Sequence, residues 1–245
     1  MSSSLQAQHT DVLILAAGRG ARMRELTEST PKPLIKLGQR SLIEHHIMRL
    51  SELGFERIVI NIAYLADQIP AALGDGSRYG VQILYSDESS SGALETAGGI
   101  AKALPLLMSE HFIVVNSDIF TDFDYRQLLQ THDHPAQLVL VPNPPHNPHG
   151  DFSLDGQGVI VPKTSDQPSY TFSGIAHYAK SLFKDLPVKK QALAPIFNQL
   201  IEHNQLHGQV YQGLWQDIGT PERLHEMEQK LRVTAGPEKT PTPDV

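Results

Sequence analysis

Asp11-Val-Leu-Ile-Leu-Ala-Ala-Gly-Arg-Gly-Ala-Arg-Met23 decides how the rest of the chain is read. Residues 11–16 are a short, nearly continuous apolar run stopped by Ala17-Gly18, the pattern of a strand buried on both faces. Such a strand needs helices on each side, and the following residues supply them. Ser41-Leu-Ile-Glu-His-His-Ile-Met-Arg-Leu-Ser-Glu-Leu53 gathers Leu42, Ile43, Ile47, Leu50 and Leu53 on one face. Ser41 is its N-cap, Glu44 follows three residues on, and Gly54 ends it. Residues 57–62, 81–85, 112–116 and 137–141 read as further Val/Ile-rich strands, and 66–73, 96–107 and 125–132 as helices between them. That alternation means βαβ units and a largely parallel sheet covered on both faces. From Asp151 the texture changes. Short β-like pieces with Asp155-Gly156 and Gln157-Gly158 turns precede a strand at 170–176, a helix at 190–203 and a strand at 209–212. A last helix over 221–231 has Thr220 as N-cap and Pro221 as its first residue. The expectation is an α/β fold: one doubly wound domain over residues 11–232 with a mixed second half, and mobile tails at 1–10 and 233–245.

The chain has 245 residues, 40% of them hydrophobic, enough to build a sizeable core and to exclude wholesale disorder. A net charge of −7 argues against a sequence-independent grip on nucleic acid, which needs a basic stripe. A small anionic ligand remains compatible, because a few N–H groups and one or two cations override a weak global field. With no Cys, disulfide scaffolds, Cys-ligated zinc and thiol chemistry are excluded. The first ten residues have no charged segment followed by an apolar one, so no secretory leader, no membrane partner and a cytoplasmic location are expected.

In a doubly wound sheet, ligands sit outside the carboxyl ends of the strands. After the opening strand, Gly18 and Gly20 would let backbone N–H groups approach a phosphate, and Arg22 would add a bidentate contact. This is not the dinucleotide fingerprint, since Met23 holds the third glycine's place, and it lacks the Gly-Lys-Ser/Thr of a P-loop. Taken alone it is equally a Gly-rich turn with a surface Arg. The continuation Glu25-Leu-Thr-Glu-Ser-Thr-Pro-Lys-Pro-Leu34 makes the loop far longer than the usual two to six residues or so, a mark of functional loops. Lys32, between Pro31 and Pro33, is expected on extended backbone that presents its ammonium at low conformational cost. Val114-Val-Asn-Ser-Asp118 is a strand ending in a carboxylate, and Leu214-Trp-Gln-Asp-Ile-Gly-Thr220 carries a second, Asp217. Singly, the first is also a turn cap and the second an exposed loop residue. Gly98 costs up to about 1 kcal/mol against Ala in a helix, which implies close approach of a ligand or tight packing. His146-Asn-Pro-His149 is too Pro-rich for a helical metal pair, so no zinc site is expected there. His45 and His46 read as helix surface and core rim.

Together, the strand, Gly-x-Gly-x-Arg-Met, Leu26-Thr27 and Thr30-Pro-Lys-Pro-Leu34 resemble the opening of the sugar-1-phosphate nucleotidyltransferases. The resemblance implies a Rossmann-like core in which a nucleoside triphosphate and a sugar 1-phosphate condense and release pyrophosphate. Ala21 stands where that family usually has Thr, and Glu25 where it has Pro nearby. Asp118 resembles the family's strand-terminal Mg²⁺ ligand, and Trp215-Gln-Asp-Ile-Gly-Thr-Pro221 the segment carrying the second metal carboxylate, Asp217. Leu94-Glu-Thr-Ala-Gly-Gly-Ile100 resembles a segment lying against base and ribose, with Glu95 in place of the commoner Gly. Within the family, that segment, Asn61 in Ile60–Gln68, Asn143-Pro leading to Gly150-Asp-Phe152, and Thr171-Phe-Ser-Gly-Ile175 resemble the short N-acetylmuramate-1-phosphate uridylyltransferases. The matches cover most of residues 11–230.

By this resemblance Ala16, Ala17, Gly18, Gly20, Arg22, Lys32, Asn61 and Gly98 bind the nucleotide, and Glu95, Asn116, Asp151, Ser173 and Gly174 the sugar phosphate. Lys163 is a further candidate, although Pro162-Lys-Thr lacks the Glu of the family's Glu-Lys-Pro. Arg22, Lys32 and Asp118 are the expected catalytic residues, UTP and N-acetylmuramate 1-phosphate the expected substrates in peptidoglycan recycling, and a monomer the expected state. A sugar phosphate oxygen is already ionised near neutral pH, so positioning and charge neutralisation suffice without a general base. The alternatives are another pair, such as GTP with mannose 1-phosphate, and a catalytically silent nucleotide-binding regulator. An NAD-dependent oxidoreductase is disfavoured by Met23 and by the lack of an acidic residue ending the 57–62 strand.

Overall fold

β1 (Asp11–Leu15) sends Val12 and Ile14 into one hydrophobic layer and Leu13 into another, as a strand covered on both faces must. The computed structural model describes residues 3–130, 134–164 and 167–235. Ahead of β1 the chain forms a short helix, α1 (Ser3–Gln8), with Ala7 buried in the core. The Thr10 hydroxyl donates to the Gln6 carbonyl, closing that helix. The reading of residues 1–10 as a mobile tail is thereby corrected from Ser3 on: one small apolar side chain is enough to dock a helical turn.

After the long loop come the ribbon β2 (Lys36–Leu37) with β3 (Arg40–Ser41), then α2 (Leu42–Glu52). Glu44 accepts from both the backbone N–H and the hydroxyl of Ser41 (2.8 and 2.7 Å), so the capping pair read from the sequence forms. The chain continues through β4 (Arg57–Ile62), α3 (Gln68–Leu73), β5 (Gln82–Asp87), α4 (Glu95–Ala103) and β6 (His111–Asn116). Next are β7 (Ile119–Thr121), β8 (Ala136–Val141), β9 (Phe152–Leu154), β10 (Ile160–Val161) and the long β11 (Ser169–Ala179). Finally come α5 (Ala194–Glu202), β12 (Leu206–Val210), β13 (Trp215–Asp217) and α6 (Pro221–Ala235).

The main sheet runs β12–β8–β11–β6–β1–β4–β5, and the β9–β10 hairpin extends from the first residues of β11. Within that path only β11 is antiparallel to its neighbours, so the sheet is mixed as expected. Isoleucines and leucines of α2 and α3 cover one face; Ile100 of α4 with Phe197 and Leu200 of α5 cover the other. The chain runs outward from β1 to β4 and β5, then crosses back to β6 on the other side of β1. Strand order therefore reverses at β1, and a crevice opens outside the carboxyl ends of β1 and β6. A third cluster joins Met23, Ile35, Leu37 and Leu42 to Ile218 and Met227, pinning the start of the long loop and α6 together beside that crevice.

Several elements differ from the sequence reading. The helix over 96–107 breaks at Ala103 into a 3₁₀ turn, Leu104–Leu106, because Pro105 cannot continue it. Tyr125–Gln130 is 3₁₀ rather than α-helical, and residues 131–132 of that expected helix lie outside the described residues. The helix over 66–73 starts only at Gln68, after Leu65 takes a left-handed φ of 49°. The helix expected from 190 starts at Ala194, because Gln191 is held by α4: its N–H donates to Leu94 and its carbonyl accepts from Ala97 and Gly98. The strand at 209–212 shifts to Leu206–Val210. At the far end α6 continues to Ala235, and residues 236–245 of the expected tail lie outside the described residues.

Candidate active site

The long loop after β1 is held in one shape by contacts legible only in three dimensions. Met23 is fully buried, which leaves Arg22 exposed beside it. Thr27 donates to the Gly20 carbonyl (3.2 Å), and the Tyr64 hydroxyl donates to the Thr27 carbonyl (2.9 Å). Gly20 has φ 67°, and a Cβ there would stand 2.9 Å from the Lys32 stem. Its bare backbone is what allows Lys32 to lie under the loop. Pro31 is extended (φ −63°, ψ 141°), but Lys32–Leu34 makes one 3₁₀ turn instead of the expected extended run. Lys32 is buried, and its Nζ donates to Asp118 Oδ2 at 2.5 Å.

Side chains at the carboxyl ends of neighbouring strands form a chain beneath this loop. Asn61, next to last in β4 and paired with Leu15, accepts from the Ala16 N–H (2.6 Å) and donates to Glu88 Oε1 (2.7 Å). The other Glu88 oxygen accepts from the Leu94 N–H at 2.8 Å. Glu88 is 1% exposed, so this carboxylate is a fully engaged strut between β4 and the start of α4. A Cβ on Gly99 would come within 2.8 Å of both Asn61 Nδ2 and Glu88 Oε1, so α4 packs against the strut only because that position is bare. Above it lies a cleft of about 570 Å³ whose lining includes Ala17, Gly18, Gly20, Arg22, Lys32 and Asn61 together with Glu88, Glu95, Asn116 and Asp118.

A second pocket of about 240 Å³ shares Arg22, Asn116 and Asp118 with the first, and its lining also includes His146, Asn147, Thr171–Gly174, Trp215 and Asp217. Its floor is a bulge in β11: the pairing with β8 slips between Phe172 and Ile175. Gly174, at φ 82°, turns the chain there, and a Cβ would sit 2.6 Å from Asn116 Nδ2. Trp215 Nε1 donates to the Ser173 carbonyl (2.9 Å) and locks the bulge to β13. β13 pairs with β7 so that Asp217 faces Ile119, and the Ile218 N–H donates to the Asp118 carbonyl (2.7 Å). The two carboxylates, nearly a hundred positions apart in sequence, are thus brought side by side: Asp217 at the end of β13 and Asp118 in the turn just before β7. Each is held by a cation: Asp118 by Lys32, and Asp217 by Arg223, whose Nη1 donates to both oxygens (2.7 and 2.6 Å). His146 Nε2 lies 3.1 Å from Asp217 Oδ1. As a donor set, two hard carboxylates beside a phosphate-sized space fit Mg²⁺, which takes its remaining ligands from substrate phosphates and water. No group of three or more His, Cys, Asp or Glu able to hold an ion by itself occurs among the described residues.

Five expected residues sit elsewhere. Ala16 is buried and absent from the cleft lining, its N–H donating to Asn61. Gly98 does not line the cleft: a Cβ there would stand 2.1 Å from the Lys189 carbonyl, so the bare position serves the docking of 187–191 on α4. Asp151 accepts from the Phe172 N–H (2.8 Å) and from Asn147 Nδ2 (3.1 Å), bracing the pocket from behind. Lys163 is exposed and donates to the Gly150 carbonyl (2.8 Å), tying down the 147–151 turn. Glu95, expected on the sugar side, lines the larger cleft, where its carboxylate is 3.5 Å from Lys190 Nζ. Its φ of 59° is left-handed, the conformation that favours the Gly seen at this position in the resemblance. Glu88, Gly99, Lys190 and Arg223 were missed. Glu88 lay three residues past the strand read at 81–85; only because β5 runs on to Asp87 does it stand, like Asn61 and Asn116, at the carboxyl end of a strand.

Residues 11–233 match the nucleotidyl transferase family. The chain is 49% identical over 222 residues to the N-acetylmuramate alpha-1-phosphate uridylyltransferase of Neisseria meningitidis serogroup B, covering 88% of this chain and 96% of that one. It is 31% identical over 223 residues to the catalytic subunit beta of Drosophila melanogaster mannose-1-phosphate guanylyltransferase, spanning 60% of that longer protein. Among solved structures, HddC of Yersinia pseudotuberculosis superposes with a TM-score of 0.78 at 23% identity, over 91% of this chain and all of the other. A putative glucose-1-phosphate thymidylyltransferase of Bacillus anthracis gives 0.79 at 22% identity, over 91% and 95%. Those two likenesses are of fold. No helix among the described residues is long and apolar enough to cross a membrane.

Proposed function

Because the chain belongs to the nucleotidyl transferase family, we propose that it transfers the uridylyl group of UTP to N-acetylmuramate 1-phosphate, giving the UDP-sugar and pyrophosphate. The observation that carries this reading is the meeting of two cavities at Asp118: a Gly-rich, Arg- and Lys-lined cleft on one side and a bulge-floored polar pocket on the other. The 49% identity to a uridylyltransferase along nearly its whole length supports the choice of base and sugar. In this reading the enzyme works in the cytoplasm, in peptidoglycan recycling.

The chemistry asks for alignment more than for proton transfer. The sugar phosphate oxygen attacks the α-phosphorus in line with the departing pyrophosphate, and it is already ionised. Gly18 and Gly20 bring backbone N–H groups to the triphosphate, while Arg22 and Lys32 neutralise its oxygens. Asn61, fixed by Glu88, holds the loop's first residue in register with β4. Asn116 and the Ser173–Gly174 bulge orient the sugar phosphate from the opposite side. Asp118 and Asp217 would hold Mg²⁺, whose bound positive charge lowers the cost of crowding anionic oxygens together. Entry of the triphosphate then draws Lys32 from Asp118 to the phosphates.

Pyrophosphate release with Mg²⁺ tests the proposal, crossing UTP, dTTP, GTP, CTP and ATP against the 1-phosphates of N-acetylmuramate, N-acetylglucosamine, glucose and mannose. Turnover confined to UTP with N-acetylmuramate 1-phosphate is the expected result. Another productive pair overturns the specificity and keeps the reaction class; silence in all wells with nucleotide still bound identifies a regulator.

A further inference from the structure

We infer that a third cavity, of about 370 Å³ beside the sugar-side pocket, is a subsite for a carboxylate carried by the sugar, and that Arg223 is the side chain that reads it. The inference rests on the proposed reaction. This cavity lies between the 142–146 loop, β13 and α6, and it shares His146, Trp215 and Asp217 with the sugar-side pocket. It therefore adjoins the place where a substituent of the sugar ring would project.

Two ion pairs flank Asp118 and Asp217, and both take a carboxylate out of circulation. A carboxylate that held a divalent cation would share its charge between the ion and its former partner, so Lys32 and Arg223 would each be loosened toward another anion. For Lys32 the replacement anion is the triphosphate, since Lys32 lines the nucleotide cleft. Arg223 lines the third cavity instead, so its replacement must come from the sugar side. The guanidinium is poorly solvated, with 13% of its side chain exposed, and Gly219 lets it lie against the backbone, where a Cβ would stand 2.1 Å from Nη2. A planar, shielded guanidinium of this kind suits bidentate capture of a carboxylate. Once Asp217 is committed, the cavity holds Arg223 and Lys230 against Glu226 alone, a net positive field. A sugar with only a hydroxyl there leaves two cations to one carboxylate, Glu226, so the site disfavours it as well as preferring the acid. N-acetylmuramate differs from N-acetylglucosamine by a lactyl ether that ends in just such a carboxylate.

Calorimetry with Mg²⁺ should show the unaltered protein binding N-acetylmuramate 1-phosphate at least about tenfold more tightly than N-acetylglucosamine 1-phosphate. Arg223→Gln should bring the two within about twofold, and Arg223→Lys, which keeps charge without the fork, should fall between. Titration of Mn²⁺ without any sugar gives a readout independent of turnover. Arg223→Gln should bind the ion more tightly, because it removes the competitor for Asp217. Weaker Mn²⁺ binding would mean that Arg223 merely orients Asp217, and a sugar preference that survives Arg223→Gln likewise overturns the subsite. Equal binding of both sugars by the unaltered protein would bring down this inference and the N-acetylmuramate reading together; turnover with UTP and a neutral sugar alone would do the same while leaving the reaction class standing.

Discussion

The larger cleft draws its floor from the carboxyl ends of adjacent parallel strands, whereas the second pocket, the one at the β11 bulge, is assembled from a loop, a bulge and a two-stranded ribbon. In the first, Ala16, Asn61, Glu88 and Leu94 form an uninterrupted line of hydrogen bonds, and Asn61 and Glu88 are buried. In the second, Asn147, Asp151 and Thr171 brace one another through contacts half open to solvent. In the proposed reaction the stiffer side would take the phosphates common to every nucleoside triphosphate, and the more open contacts would take the sugar phosphate.

The widest separation between the regions is predicted at their shared boundary. Asp118→Asn removes a carboxylate both cavities use, and kcat should fall by about 10²–10³, measured by pyrophosphate release. Retained turnover would remove Asp118 from the metal site. Glu88→Gln leaves either Asn61 Nδ2 or the Leu94 N–H facing a donor. The expected loss is about 1–3 kcal/mol in denaturant-induced unfolding, with a raised KM for the nucleotide and an unchanged KM for the sugar phosphate. Lys32→Ala should lower kcat/KM at least about tenfold, near 1.4 kcal/mol; an unchanged rate would return Lys32 to a purely structural role under the loop. Smallest of all, Asp151→Asn should raise the sugar-phosphate KM about two- to threefold and move stability by no more than about 0.5 kcal/mol. If instead it shifted the nucleotide KM, the two regions would not be independent.

The same contrast explains what the sequence disclosed. β1, its Gly-rich continuation and Lys32 lie in one short stretch, and Asn116 at the end of β6 and Asp118 two residues on lie in another, so each run can be read along the chain. The doubly wound sheet was legible for a similar reason, since helix caps and strand runs are local. Arg223 was hidden because it sits in the first turn of α6, where a charged residue normally faces water, and only the turn through Gly219 folds it back onto Asp217. Lys190 sits in a Lys-Lys pair that reads as solvated surface, yet Gln191 docks that segment beside the larger cleft. Gly98 shows the converse limit: a bare helix position announces a close neighbour without saying whether it is a ligand or, as here, the Lys189 carbonyl.

The most direct test of nucleotidyl transfer follows the phosphorus itself. The protein would be incubated with N-acetylmuramate 1-phosphate, Mg²⁺ and UTP labelled with ³²P at either the α or the γ position, and the products separated. The account predicts that α-label passes into the UDP-sugar and γ-label leaves as pyrophosphate. Recovery of γ-label as inorganic phosphate or on the sugar would place the attack at a different phosphorus and contradict it.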